Sequence, residues 1–569
     1  MSVYGDKCLA MPRKYENGVD TYDHTNYRAP VQAVIGMAGY SLDKFPDHIV
    51  DGWSLSRISK RGHATKEDMT LELSDEEFVT VTVSGVLLPA ENDWIAMISP
   101  TNSNVTSCPS TIGMYIQTGD TNDLPLPLLC HYPVKAQYMS NDPDYVSCKK
   151  KECKKYNNGK CEMRLRWVSG DNEPQQVQYG DGKSETSQVS TFSKDDMCNS
   201  TIVSPAVDFG WHDPGYIHTA VMTGLDPSSI SYYRYGSDSV GWSDKIQFKT
   251  PPGGGSDELK FLAFGDMGKA PLDASAERFV QPGSLSVTKA MADEVNNGNV
   301  DSIFHIGDIS YATGFLVEWD FFLHLITPVA SQVSYMTAIG NHERDYIGTG
   351  SVYITPDSGG ECGVAYEAYF PMPTPAKDKP WYSIEQGPVH FTVISTEHDW
   401  SEDSEQYEWM KKDMASIDRS KTPWLIFTGH RPMHTSSKSS VDRKFVKAVE
   451  PLLLDNKVDL VLFGHVHNYE RTCLVYGDKC LAMPRKDENG VDTYDHTNYS
   501  APVQAVIGMA GYRLDKFPDH IVDSWSLSRI SKFGYLRGHA TKEDMTLEFV
   551  NADTRDDEDS FRITKKQNR

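Results

Sequence analysis

The chain has 569 residues, 39% hydrophobic, 11% aromatic and 24% charged, and its 55 basic and 79 acidic side chains leave a net charge of −24. The length exceeds one ordinary hydrophobic core and calls for several domains, while the aromatic load excludes a disordered chain. The acid excess argues against a nucleic-acid polymer or an anionic membrane as partner, so a small anionic substrate would need a local positive centre such as bound metal.

The chain opens on a repeat. Val3 to Lys60 matches Val475 to Lys532 with four differences: Tyr15 for Asp487, Arg28 for Ser500, Ser41 for Arg513 and Gly52 for Ser524. The match resumes as RGHATKEDMTLE at Arg61 and Arg537. Solenoid repeats diverge further and come in larger numbers, so residues 1–73 are read as an appended duplicate of the C-terminal segment. Cys480 follows Cys473 by seven residues, a spacing that a hairpin disulfide can bridge, whereas Cys8 begins its copy without that partner. The N-terminal text MSVYGDKCLAMPRK has no apolar run of the secretory kind. Ten cysteines and the sequons at Asn104, Asn199 and Asn498 nevertheless read as extracellular, with glycosylation expected at those three asparagines.

Residues 74–162 begin with short β-strands (EEFVTVTVSGVLLP, DWIAMISP) and end in a cysteine-rich stretch, CKKKECKKYNNGKC. Without a Cys-x2-Cys or histidine pair, Cys148, Cys153 and Cys161 read as disulfide partners and not as a zinc site. In residues 163–250 the short alternating runs MRLRWVSG, QQVQYG, HTAVMTGL, SYYRYGS and KIQFKT predict an all-β sandwich, closed by the linker TPPGGGSDE.

From residue 258 to 569 the period changes. The apolar runs LKFLAF, VDSIFHI, VSYMTAI, VHFTVIS, PWLIFT and VDLVLF alternate with helical text such as SVTKAMADEV and SEQYEWMKKDM. Unbroken apolar strands between helices predict strands buried on both faces of an α/β layered domain.

Five of the six runs end in a glycine turn followed by polar groups: GDMG at Gly265–Gly268, GDISY at Gly307–Tyr311, GNHE at Gly340–Glu343, GH at Gly429–His430 and GHVH at Gly464–His467. Carboxyl ends of such strands converge on one edge, where ligands bind. Asp266, Asp308, Tyr311, Asn341, His430, His465 and His467 therefore form one candidate pocket. Phenolate and carboxylates suit a hard, highly charged ion and imidazoles a borderline divalent one, and a carboxylate such as Asp308 can bridge the two. Two adjacent metals fit an in-line phosphoryl displacement.

This ordered set resembles the metallophosphoesterase motifs, and Tyr311 within GDISY marks a resemblance to the purple acid phosphatases. GYIHTAVMTGLDPS, YYRYGSDSVGWSD and VEWDFFL are similar to long plant forms of the nucleotide pyrophosphatase/phosphodiesterase type. The resemblance implies an α+β layered metallophosphoesterase domain, two mixed β-sheets flanked by helices, behind a fibronectin type III-like sandwich. It also implies secretion or a cell-wall location, and acid-pH hydrolysis of small phosphomonoesters or nucleotide anhydrides and diesters by metal-bound hydroxide. By position it makes Asp266, Tyr311 and His467 ligands of Fe(III), and Asn341, His430 and His465 ligands of a divalent ion (Zn, Mn or Fe), with Asp308 bridging. His342 matches a substrate-contacting catalytic histidine beside Asn341. The chain departs from the family in two places: the loop GHRPMHTSSKSS offers only His434 as proton donor, and MRLRWVSG follows directly on Cys161-Glu162 where relatives have further strands, so an edge strand is expected to be missing. Arg431 is a candidate phosphate contact. The competing expectations are a mis-joined or truncated chain without activity, and a non-catalytic wall-associated binding protein.

Overall fold

The computed structural model describes residues 161–199, 203–269, 281–437, 441–518 and 524–565, together with the backbone of seven short strands between residues 2 and 141. The chain forms two compact units, Met1–Val134 with Ser275–Arg278, and Lys135–Ala274 with Phe279–Arg569. Asn104 and four cysteines (Cys108, Cys130, Cys148 and Cys153) lie outside the described residues.

Within the first unit the duplicate keeps the pairing of its original. Val3 faces Cys8 and Tyr4 faces Lys7, as Val475 faces Cys480 and Tyr476 faces Lys479. Arg13 faces Thr21 as Arg485 faces Thr493. Identical side chains and turn residues select identical hairpins, which is local coding of register. Met69–Leu73, at the end of the duplicate, pairs with Val79–Val83 in one hairpin.

The second unit begins with the sandwich. One sheet runs in the order Gln188–Ser190, Tyr216–Leu225, Cys161–Ser169, Gln137–Asn141. The other contains Lys183–Thr186, Gln176–Tyr179, Ile230–Ser237 and Gly241–Trp242, with Ile246–Lys249 also pairing to Ile230–Ser237. The missing edge strand is thus corrected: Gln137–Asn141 pairs with Cys161–Ser169, Gln137 opposite Trp167 and Asn141 opposite Met163. Alternation carries Met163, Leu165 and Trp167 into the core against Val177, Met222, Tyr233 and Phe248. Trp167 stacks on buried His218 at 5.2 Å, and replacing such a side chain with alanine costs about 3–5 kcal/mol. Cys161 keeps a free, buried thiol that donates to the Pro251 carbonyl and is pushed up to about 12 by burial, which corrects its expected disulfide.

The following domain holds two eight-stranded sheets. In the first, β1 (Glu258–Phe264), β2 (Ser302–Ile306) and β3 (Ser334–Ala338) are parallel. In the second, β4 (Val389–Val393), β5 (Trp424–Gly429), β6 (Leu460–Phe463) and β8 (Val503–Ile507) are parallel, and β7 (Tyr469–Tyr476) runs antiparallel to β8. β9 (Gly534–Thr541) runs antiparallel to β1. All six apolar runs read from the sequence are strands.

Their double burial has a simple origin. On β5, Trp424 and Ile426 join the core between the sheets, while Leu425 and Phe427 join a second core with Phe445, Val449 and Leu453 of a covering helix. Period-2 alternation supplies both layers. Phe304 of β2 stacks on Phe391 of β4 at 4.1 Å, so the two sheets pack face to face. The connections are α1 (Ser284–Asn296), α2 (Val317–Ala330), α3 (Glu405–Ala415) and α4 (Arg443–Asp455). Ser404 caps α3 by accepting the Tyr407 N–H, and Asp442 caps α4 by accepting those of Lys444 and Phe445, contacts worth about 1 kcal/mol each.

Cys473 and Cys480 form the hairpin disulfide their spacing allows, and Cys198–Cys362 joins the chain between sandwich strands to the loop after β3. The interdomain linker is pinned, since Gly253 bridges Gln386 and Gly255 N–H donates to the Gly387 carbonyl.

Candidate metal centre

The carboxyl ends of β1, β2, β3, β5 and β6 meet at one rim of the two sheets. Gly265 N–H donates to Ile507 O, Asp266 N–H to Gly307 O and Gly464 N–H to His430 O, so the ligand-bearing turns are bonded to one another. Asp266, Asp308, Tyr311 and His465 all have left-handed backbone φ, between 50° and 68°. Non-glycine residues adopt that conformation at a cost, and strain of this kind gathers at functional sites. The glycines serve close approach. A Cβ on Gly340 would stand 2.3 Å from Asp308 Oδ1, and one on Gly464 would stand 2.6 Å from Asp266 Oδ2.

All seven candidates assemble here. Asp266, Asp308 and His467 offer one ligand atom each within 4.8 Å of one another, and so do Asp308, His430 and His465. The Tyr311 hydroxyl donates to Asp266 Oδ1 at 3.3 Å and lies 3.2 Å from His467 Nε2, which adds it to the first group. Asn341 Oδ1 lies 3.0 Å from His430 Nε2 and 2.9 Å from His465 Nδ1, which adds it to the second. Asp308 belongs to both.

The electrostatics fit cations. Asp266 and Asp308 are fully buried, and burial raises the Asp266 carboxyl. Burial alone would depress His430, yet Asp308 and Asp266 override it and push it up to about 10. Two carboxylates and an amide oxygen thus converge on His430 Nε2, a set of oxygens that favours a cation. His430 Nδ1 lies 3.1 Å from the Ile306 carbonyl; donating to it leaves Nε2 for the pocket. Burial, with Arg431 and His430, holds His465 well below its ordinary range, so its imidazole is neutral and has a lone pair to offer. Burial and then Asp266 push the Tyr311 phenol well above its ordinary range.

His342 lies at the same site. Its N–H donates to Asp308 Oδ1 at 3.0 Å, its Nδ1 is 3.0 Å from the Asp357 carbonyl, and its Nε2 is 3.7 Å from Asp308 Oδ2. Arg431 borders the cluster at His465, with Nη1 3.3 Å from His465 Nε2, a two-point pair to Glu397 at 2.8 and 3.1 Å, and its guanidinium 3.9 Å over the Tyr353 ring.

His434 is not brought to the cluster. Nε2 lies 2.6 Å from Glu450 Oε1 and Nδ1 lies 3.0 Å from Asp478 Oδ1, in a buried position against Trp525. With both ring nitrogens engaged by carboxylates, the expectation of a proton donor at His434 is corrected. Asn199 and Asn498 are exposed.

The structure adds residues outside the candidate set. Glu397 ends the sixth apolar run, the one without a candidate ligand, and holds Arg431. Glu343 accepts backbone N–H groups from Asp308, Ile309 and Gly340. Asp357 accepts from Asn341 Nδ2 at 3.2 Å. Tyr512 stacks on Tyr311, and its segment follows β8 in the duplicated text.

Comparisons with known proteins agree with this geometry. The calcineurin-like phosphoesterase profile matches residues 259–469, and that of the iron/zinc purple acid phosphatase-like protein C matches residues 501–560. The Fn3-like domain from purple acid phosphatase matches residues 63–182, and the purple acid phosphatase N-terminal domain matches residues 156–250. The Arabidopsis thaliana protein named probable inactive purple acid phosphatase 1 is 35% identical over 84% of this chain and 85% of its own length. Probable inactive purple acid phosphatase 27 of the same plant is 33% identical over 81% and 82%. A Hordeum vulgare nucleotide pyrophosphatase/phosphodiesterase is 36% identical over 52% of this chain and 81% of its own. The solved purple acid phosphatase PPD1 from yellow lupin (Lupinus luteus) seeds aligns with a TM-score of 0.68 at 35% identity, covering 76% of this chain and 75% of that one. With a metallophosphoesterase domain behind an Fn3-like one, and relatives matched over most of their length, the chain belongs to the purple acid phosphatase family.

Proposed function

We propose that the chain is a binuclear metal-dependent acid phosphatase acting on small phosphomonoesters or on nucleotide anhydrides and diesters. The observation that carries this reading is the assembly of seven candidate ligands into two groups that share Asp308. Asp266, Tyr311 and His467 would hold Fe(III), and Asn341, His430 and His465 a divalent ion (Zn, Mn or Fe), with Asp308 bridging. Bound there, the ions supply Lewis acidity toward the phosphoryl group and lower the barrier to attack by water.

The protein's own groups do the rest. His342, fixed through Nδ1 by the Asp357 carbonyl, presents Nε2 toward developing charge on the phosphoryl oxygens. Arg431 keeps its Nη1 edge toward His465 while Glu397 fixes the other edge, which suits a phosphate contact. The net charge of −24 leaves a small phosphorylated molecule, and not a nucleic-acid polymer or membrane, as partner. The Cys198–Cys362 and Cys473–Cys480 disulfides and the exposed sequon asparagines at 199 and 498 support a secreted or wall location.

A second reading, a non-catalytic phosphate-binding protein, is favoured by the names of the Arabidopsis relatives and by the engaged nitrogens of His434. Metal analysis and the visible spectrum of the purified chain, followed by hydrolysis of p-nitrophenyl phosphate and of a nucleoside diphosphate at pH 5, separate the readings. The enzyme reading expects two metals per chain, a tyrosinate band abolished in Tyr311→Phe, and turnover. Two metals without turnover would establish the binding protein.

A further inference from the structure

One short segment, Gly511 to Asp515, touches three candidate ligands of the first metal group, Asp266, Tyr311 and His467. Tyr512 N–H donates to the Asp266 carbonyl at 3.0 Å. The Tyr512 ring stacks on the Tyr311 ring at 4.5 Å with 21° between planes, and stands 4.6 Å from the His467 ring. Asp515 N–H donates to the His467 carbonyl at 2.8 Å, and His467 N–H donates back to Asp515 Oδ2 at 3.1 Å. The strap is seated tightly, since a Cβ on Gly511 would stand 1.9 Å from the Met267 carbonyl oxygen.

We propose that Tyr512 is a positioning residue for the group formed by Asp266, Tyr311 and His467, its ring holding the phenol and imidazole rings at ligating angles and shielding them from water. This rests on the proposed binuclear reading and adds to it a residue that none of the five motifs contains. A planar ring covering two ligand rings restricts their rotation, and outer partners that orient ligands commonly contribute 10–100-fold to metal affinity. The Tyr512 hydroxyl has no assigned part in this, so the inference concerns the ring.

The test compares Tyr512→Phe, which keeps the ring, with Tyr512→Leu, which keeps apolar bulk without it. Each full-length variant is loaded with iron and zinc, checked for folding by thermal unfolding in the metal-free form, and challenged with a chelator while bound metal and the tyrosinate band are followed. Tyr512→Phe is expected to match the unaltered chain in both readouts. Tyr512→Leu is expected to lose iron at roughly 10-fold lower chelator concentration and to show a shifted, broadened band. Equal retention and an unshifted band in Tyr512→Leu would overturn the proposal, as would equal losses in both variants. If the unaltered chain binds iron with no tyrosinate band, it is the ligand role of Tyr311 that fails. Metal retention across the two variants then still decides the role of Tyr512.

Discussion

Glu343 Oε2 accepts the backbone N–H of Asp308 at 3.0 Å and that of Gly340 at 2.9 Å, while Oε1 accepts Ile309 N–H at 2.7 Å. One buried carboxylate thus ties the turn after β2 to the turn after β3, the two that carry Asp308 and Asn341. Only a group with two accepting ends can do this. Glu343→Gln would turn an N–H2 toward a backbone N–H, at an expected cost of about 1–3 kcal/mol in unfolding free energy. Metal affinity is expected to fall roughly 10–100-fold. Urea unfolding and equilibrium dialysis against a chelator measure the two effects, and a variant as stable and as metal-retentive as the unaltered chain would contradict this account.

Arg431 shares two of its N–H edges with Glu397 and turns Nη1 toward His465. A lysine keeps the charge but cannot serve Glu397 and a phosphate together. Arg431→Lys is therefore expected to raise KM for a phosphomonoester about 10-fold, near 1.4 kcal/mol, with a smaller change in kcat. Inhibition by inorganic phosphate should weaken in parallel. An unchanged inhibition constant would confine Arg431 to its pair with Glu397.

His434 makes the opposite case. Its nitrogens are held by Glu450 and Asp478, so His434→Gln should leave kcat and its pH profile within about twofold while lowering stability by roughly 1–3 kcal/mol through the partly orphaned Glu450. Loss of the alkaline limb of kcat in this variant would make His434 a proton donor.

The comparison of Arg431 with His434 shows where sequence is informative. The five motif turns were legible because each ends an apolar run in glycine, and a strand end in an α/β sheet is a place in space as well as in sequence. His434 sits four residues past His430, yet a surface-like loop text gave no sign that Glu450 of α4 and Asp478 of a distant turn would enclose it. Glu397 follows an apolar run that lacks the glycine signal, so nothing local marks it. Tyr512 has the signal, VQAVIGMAGY, but it lies within the repeat, whose duplication masks it. The sandwich edge Gln137–Asn141 was hidden because the run KAQYMSN is polar and pairs across an interval of some twenty residues. Pairings set by tertiary contact, such as Cys198–Cys362, leave no local trace.

Asp320 on α2 is buried, and its Oδ2 lies 3.2 Å from Nε2 of His212, in the chain that follows the sandwich strand Gln188–Ser190. Burial, only partly offset by His212, pushes the Asp320 carboxyl up to about 6. The folded state therefore holds this proton more tightly than the unfolded chain, where an aspartate titrates near 4. The sign follows from linkage: stability is fully present below about pH 4 and is lost as pH rises through 6, by about 3 kcal/mol for a shift of roughly two units. Asp320→Asn keeps the shape without the charge. Its stability relative to the unaltered chain is expected to rise between pH 4 and pH 6 and then level off. Urea unfolding of both proteins at equal metal loading, at pH 4, 5, 6 and 7, measures this directly, and a gap that does not change with pH would mean that Asp320 titrates as it would in water.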